Sequence, residues 1–346
     1  MNIFKKINNV KSFLIDSKHI YFVNIIDKSL FKIDFALNQI DSFKEFNSYE
    51  IVDYYDFIIN YSLLFVNKEK FQKNIEILNN FNLTLVNTIN EQEILVKKID
   101  DEAKKVHYLK INLKSKKETE IKNISFPKIV QKGNVICSDT TFLSSHNIEN
   151  GQELWRLDLN TVLNNTGVTI YEGKILAVNN NIIVSIHDTD FKKYSTICID
   201  IITGEIVHRT QDILFKLYQN EDIIYQISPT KIKQFNPSNF EISYMDLEEF
   251  TTNHDLKLSN KVAFFHENHI YISAEKENSN VNSFWLIVNL QTGKVVYSSE
   301  LLIDPKKVST ENNRAFVSEI QANDKIVAIK SSQTLFIFEK EETILQ

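Results

Sequence analysis

Glycine is scarce in this chain: 346 residues carry six. Proline numbers four, and cysteine, methionine and tryptophan two each. Each shortage excludes something. Neither G-x-G-x-x-G nor G-x-x-x-x-G-K-[ST] occurs, so no glycine-rich loop cradles a phosphate. Two cysteines cannot build a disulfide scaffold. Cys137 and Cys198 sit inside the apolar runs "NVICSD" and "STICID" and are expected to be core thiols in a reducing compartment. No apolar run reaches the ~18 residues of a membrane span, and the first residues lack the apolar stretch of a signal peptide. A cytoplasmic location away from membranes is therefore expected. There is no block of Lys or Arg, the net charge is −6 and the pI is about 5.8. That balance argues against a nucleic-acid partner and favours a basic one.

What is present is strand pattern. Apolar residues make up 43 % of the chain, enough for a substantial core. They alternate with polar ones in "HIYFVNI", "SLFKIDF", "VHYLKINL" and "TLFIFEK", the period of a pleated surface. Helical periodicity is almost absent. With glycine and proline so rare, Asn and Asp must carry the turns.

Three glycines fall at one place in a repeated pattern: "NIENGQELWRLDL" (147–159), "DIITGEIVHRT" (200–210) and "NLQTGKVVYSS" (289–299). Gly151 and Gly204 lie 53 residues apart and Gly204 and Gly293 lie 89 apart, which leaves room for a hidden copy at 231–247, turning on Pro237 and Asn239. A unit of roughly 45 residues with four short strands matches a propeller blade. Third-to-fourth-strand hairpins fall at 30–46, 63–79, 107–123, 141–157, 195–209, 230–245 and 284–298. An eighth set at the C-terminus (315–321, 326–330, 334–339) lacks its fourth strand, and a spare strand stands at 2–7. The expectation is an all-β chain forming one domain over 1–346: a β-propeller of eight four-stranded blades, closed by pairing the N-terminal strand with the last blade. Seven blades is the alternative.

"NGQELWRLDL" resembles the repeat of quinoprotein-like (PQQ-like and WD40-like) propellers, in which a D-x-x-T-G turn leads to an outer-strand Trp. Trp155 stands at that place after Asn150 and Gly151. Thr203–Gly204 and Thr292–Gly293 keep the turn, with His208 and Tyr297 near the aromatic position. The resemblance implies a packing role for Trp155. Redox members of that family hold a quinone with adjacent cysteines, a stacking Trp and carboxylate-bound calcium. This chain has no adjacent cysteines, so no cofactor is expected.

Motifs for chemistry are weak. His266 and His269 form H-x-x-H and are expected to be turn residues, not metal ligands. Asp188 and Asp190 beside His187 lack the Gly and later Glu of a calcium loop. His146, near two serines, is expected to flank a turn, and no G-x-S-x-G elbow occurs. Glu248 and Glu249, read as strand residues, would point to opposite faces. No catalytic or metal residue is assigned.

One asymmetry remains. Long connections are expected at 97–106, 159–173, 187–194, 246–258, 274–283 and 299–314, all on one face of the ring. Long loops on a rigid scaffold are disproportionately functional. Their candidate binding residues are Asp100, Asp101, Glu102, Tyr171, Asp188, Asp190, Phe191, Tyr194, Glu248, Glu249, Phe250, Glu275 and Glu277. Acids and aromatics in this mixture suit a basic protein partner. The function expected is thus a monomeric, non-enzymatic protein-binding chain, with a toxin-neutralising inhibitor (an immunity protein) as its specific form. The alternatives are a channel-site hydrolase or lyase, and a small-molecule or glycan binder in which Tyr54 and Tyr55 stack on a sugar.

Overall fold

The period-two runs become short antiparallel strands along almost the whole chain. The computed structural model describes residues 3–36, 38–44, 51–54, 57–60, 64–68, 73–76, 83–100, 102–279, 281–304 and 313–340. They gather into two compact units, one of Met1–Ile51, Tyr225–Gln234 and Ile242–Gln346, the other of Val52–Ile224 and Phe235–Glu241. No described helix is long and apolar enough to cross a membrane.

Each sheet is built from strands consecutive in the chain. The third is Leu83–Asn90, Glu93–Asp100, Lys105–Asn112 and Glu118–Glu120; the fourth is Pro127–Gln131, Asn134–Ser138, Phe142–Asn147 and Glu153–Asp158. In the fifth, the short strands Thr169–Ile170 and Leu176–Val178 share one edge of Asn181–His187, followed by Tyr194–Asp200 and Ile206–Thr210. The seventh runs from Leu256–His266 through His269–Lys276 and Phe284–Asn289 to Val295–Glu300. In the eighth, Glu319–Ala322, Ile326–Ser331 and Thr334–Glu339 take Ile3–Ile7 as their last strand.

The closed ring of eight four-stranded blades is corrected by this pairing. Among the described residues there are seven four-stranded sheets and one five-stranded sheet, and every ladder stays within its own sheet. The N-terminal strand does pair antiparallel with Thr334–Glu339, but that completes one sheet and closes no ring. The propeller, WD40 and quinoprotein-like repeat labels therefore do not describe this chain. The physical reason is that period-two patterning and turn chemistry specify hydrogen bonding inside a sheet. How separate sheets associate is left to side-chain packing.

That packing is apolar and falls into several clusters within each unit. In the second unit, Ile136, Leu143 and Trp155 of the fourth sheet bury against Ile182, Val184, Ile197 and Ile199 of the fifth. In the first unit, Tyr271, Trp285 and Ile287 of the seventh sheet meet Val327, Phe336 and Phe338 of the eighth. Cys137 and Cys198 are buried, and burial pushes both thiols up to about 12.

The repeated glycines mark one backbone event. In each turn an Asn or Asp opens the loop, and the N–H four residues on donates back to its carbonyl: Gly151 to Asn147 (2.8 Å), Gly204 to Asp200 (2.9 Å) and Gly293 to Asn289 (2.9 Å). All three glycines are left-handed, at φ +71°, +75° and +66°. The copy at 231–247 makes the same bond from Phe240 to Asn236 (2.8 Å), with Phe240 itself at φ +61°. Glycine is needed where a neighbour crowds the turn. A Cβ on Gly204 would lie 2.6 Å from the Trp155 ring, and one on Gly151 only 1.8 Å from the Lys122 carbonyl oxygen.

Two predictions follow from burial and crowding. Gly133 is left-handed (φ +76°) with open space around it, so Gly133→Ala should cost about 1–2 kcal/mol, the left-handed penalty alone. Gly204→Ala meets the indole as well and should cost about 1–3 kcal/mol more, read as a larger drop in thermal midpoint. In a second experiment, iodoacetamide at pH 8 should leave Cys137 and Cys198 unmodified in the folded chain and label both in denaturant.

Candidate functional site

The connection expected to be an unstructured loop at 159–173 is internally built. Asp158 caps the short helix Leu159–Leu163, its carboxylate accepting from the Asn160 N–H at 2.9 Å. Leu159 and Leu163 anchor the helix in the core, and Asn164 ends it at φ +47°. The Asn160 side chain then accepts from the Val168 N–H at 3.0 Å, folding the chain back to the fifth sheet.

Asp188 locks this segment to the connection 188–193. It is 3 % exposed. Its carboxylate accepts from the Lys192 N–H (2.8 Å) and from the Asn165 side-chain amide (2.7 Å). Its own N–H donates to the Lys193 carbonyl (2.9 Å), and its carbonyl accepts from the Phe191 N–H (3.1 Å) and His187 Nδ1 (2.7 Å). Lys193 Nζ reaches the Asn164 carbonyl at 2.9 Å. Burial alone would raise the pKa of Asp188, but these hydrogen bonds and the Lys192 charge outweigh it and hold the carboxyl below its ordinary value. Asp188 is thus turned inward and organises the loop, while exposed Asp190 pairs with exposed Lys192 at 3.2 Å.

The loop this lock creates presents aromatic rings. Phe191 stacks on His187 (3.9 Å between centroids, 9° between planes) and is 47 % exposed. Tyr171 lies 5.9 Å from His187 and 5.3 Å from Phe215, and Tyr194 lies 5.9 Å from Phe215. Phe191 and Phe215 are left-handed, at φ +56° and +67°, as is Phe126 at +50°, which is 62 % exposed. A bulky side chain in that region carries roughly 1–2 kcal/mol of strain. Phe126 borders a groove of about 560 Å³ whose walls come from both neighbouring sheets, Ser138, Asp139 and Thr140 on one side and Thr169, Ile170 and Gly173 on the other. The structure therefore brings together Tyr171, Asp188, Asp190, Phe191 and Tyr194 with His187, already singled out beside Asp188, and adds Phe215; Phe126 borders the groove that Ile170 and Gly173 also line. Sequence offered no signal for Phe215 or Phe126, because only the fold brings them to these elements.

The other candidates lie elsewhere. The connection expected at 97–106 shrinks to 101–104, because strands Glu93–Asp100 and Lys105–Asn112 run on into it. Asp100 accepts from the Glu102 and Ala103 amides, while Asp101 lies outside the described residues. Asp100, Glu102, Glu118 and Glu120 line a groove of about 540 Å³ with Lys98 and His107. His107 sits 2.7 Å from Glu120, and that hydrogen bond holds the Glu120 carboxyl low.

In the first unit, Glu248 and Glu249 open a helix, Glu248–His254, and do not alternate across a strand. Phe250 stacks on His254 at 4.2 Å. Glu275 is paired with Lys257 (3.5 Å) and Lys261 (3.9 Å), and Glu277 is exposed. Part of the connection 299–314 and Tyr55 lie outside the described residues, and nothing is described of the Tyr54 side chain.

One nucleophile-like pair stands out. Ser144 Oγ lies 3.1 Å from His146 Nε2, and His146 Nδ1 lies 3.3 Å from the Gly151 carbonyl. The carbonyl fixes the proton on Nδ1, so Nε2 accepts from the serine. Both residues are buried, at 8 % and 5 % exposure, which closes the pair to a substrate.

No protein-family model and no curated protein matches the chain. Solved structures do. BamB from Moraxella catarrhalis is 12 % identical with a TM-score of 0.53, over 98 % of this chain and 99 % of that one. Dihydro-heme d1 dehydrogenase NirN in complex with DHE is 9 % identical with a TM-score of 0.56, over 90 % of this chain and 68 % of that one. KlHsv2 with loop 6CD replaced by a Gly-Ser linker is 12 % identical over 97 % of this chain and 98 % of that one, at a TM-score of 0.45 too low to carry argument. The likeness is remote and one of fold alone, to propeller-type and quinoprotein-like chains, with neither a closed ring nor a quinone site shown.

The Asp188 lock has a test. Asp188→Ala should speed hydrogen exchange at the Phe191 and Lys192 amides by about tenfold or more through local opening, with the third-sheet amides unchanged. The folded pKa of Asp188 lies below the unfolded one, about 3.9. The lock is therefore complete above that pH and weakens as pH falls toward the folded value, which acid-side exchange should show in the parent only.

Proposed function

We propose that this chain is a non-enzymatic protein-binding module that docks its partner through the loop end of the fourth and fifth sheets. The observation that supports this most is three left-handed phenylalanines, Phe191 and Phe215 in one ring cluster and Phe126 on the edge of an open groove. Strained bulky residues persist where the surroundings over-determine them, and they cluster at functional sites. Exposed aromatic anchors over a rigid base, rimmed by charge, have the composition of interface hot spots. The carboxylates of the third-sheet groove, in the same unit, favour a partner segment carrying basic side chains next to apolar ones. An inhibitor of a basic toxin is the narrower form of this reading. The ligand named with NirN is not carried over, since 9 % identity speaks only to fold.

The test is a photo-crosslinking amino acid placed at position 191, 126 or, as a control, 239 in an exposed turn, and irradiated in the source cells. A discrete adduct is expected from 191 and 126 and none from 239. Phe191→Ala should weaken the recovered partner by about tenfold or more, and Asp100→Lys should weaken it most at low salt. Equal adducts from all three positions, or none from any, would sink the proposal.

A further inference from the structure

Three side chains capable of binding a metal converge in the first unit. His266 ends the strand Leu256–His266, and Glu267 begins the tight turn to His269–Lys276. Asp324 sits in the turn between Glu319–Ala322 and Ile326–Ser331 of the eighth sheet. The two sheets bury against each other through Tyr271, Trp285, Val327, Phe336 and Phe338, so the two turns share a fixed base. Asn323 stiffens the second turn. Its side-chain oxygen accepts from the Lys325 and Ile326 amides (2.9 and 3.0 Å), and its amide donates to the Asp16 carbonyl (2.8 Å). On this base His266 Nε2 stands 2.7 Å from Asp324 Oδ1. One ligand atom from each of His266, Glu267 and Asp324 lies within 4.8 Å of the other two.

Metal–ligand bonds of about 2.0–2.2 Å place neighbouring donors about 3–3.5 Å apart. Asp324 and Glu267 are exposed and His266 is partly so, so side-chain rotation alone supplies the remaining contraction. One imidazole and two carboxylates suit a borderline divalent ion. They lack the thiolates of a soft-metal site and the six to eight oxygens that calcium takes. His269, the other half of H-x-x-H, is buried in register opposite His266 and is not one of the three. The pairing that matters therefore runs between sheets, which sequence spacing did not reveal.

We propose that His266, Glu267 and Asp324 form a binding site for a first-row divalent cation of the Zn²⁺ class, clamping the turns of the seventh and eighth sheets. Water completes the coordination. Burial lowers the pKa of Lys340 to about 8, and the charges of Asp324 and Glu267 partly offset that shift. Its ammonium is the resident counter-charge that the incoming ion must displace.

The test is calorimetric titration of the chelator-stripped full chain with Zn²⁺ alone, with Co²⁺ absorption as a second readout. One Zn²⁺ per chain and a thermal midpoint that rises with Zn²⁺ are expected. Asp324→Asn and His266→Gln, each checked for parent-like circular dichroism, should weaken binding roughly tenfold or more and abolish the Co²⁺ ligand-field band. Lys340→Gln should tighten it. Absence of saturable Zn²⁺ uptake, or uptake by Asp324→Asn as tight as the parent's, overturns the site. The crosslinking result at Phe191 is independent of either outcome.

Discussion

The seat that each left-handed turn residue offers to the outer strand of the preceding sheet is the contact on which the arrangement depends. No ladder crosses from one sheet to the next; single backbone bonds such as the Val10 N–H to the Gln333 carbonyl and the Leu258 N–H to the Pro229 carbonyl join neighbouring sheets, and side-chain contacts add to them. Trp155 of the fourth sheet lies over Gly204 of the fifth, and its indole N–H donates to the Ile201 carbonyl at 2.9 Å. Met245 lies over Gly293 in the same way. Where the turn residue is Phe240, the preceding strand offers His208, stacked at 4.6 Å and 5°. The joint is thus one geometry with interchangeable chemistry, and burial of a large flat or flexible side chain supplies its energy.

This joint explains how a chain with six glycines places three of them identically. A substituent is tolerated at the left-handed position only where the neighbouring strand leaves room or offers a ring to stack on. Lys116, at φ +57°, occupies the same position in the third sheet, four residues after Asn112, whose side chain accepts from the Lys114 and Ser115 amides. Glycine at these three crowded joints fits a composition that leaves most other turns to Asn and Asp.

Much of the local architecture was legible for this reason. The Asn or Asp opening each turn, the following Gly and the alternating flanks located the hairpins, including the copy at 231–247 that lacks glycine. The N-terminal strand found its place because Thr334–Glu339 exposes an unpaired edge without it. The ring was not legible, since association between sheets rests on pairs such as Trp155 and Gly204, whose contact no period announces. Glu248–His254 escaped because seven residues are too few to establish a helical period. Asp188 was read as outward-facing because alternation says nothing about direction inside a turn. Only its partner Asn165, 23 residues away, reveals the inward carboxylate.

The loop end acquires its character from that inward turn. A surface acid would have made it one more charged connection. Consumed internally, the same acid fixes the backbone that holds Phe191 on His187, and a rigid aromatic surface loses less entropy on docking than a mobile one. Charge is neutralised close by, Asp190 by Lys192, while burial and the Lys216 charge lower the pKa of Lys174 against a partial offset from Glu172. The two thiols are buried with raised pKa values, and the Ser144–His146 contact is buried. Catalysis needs a titratable group poised at an open surface, whereas recognition needs shape, exposed apolar area and a satisfied rim. At the loop end one carboxylate faces the protein and not the water, and the turn it holds carries the exposed Phe191 ring on His187.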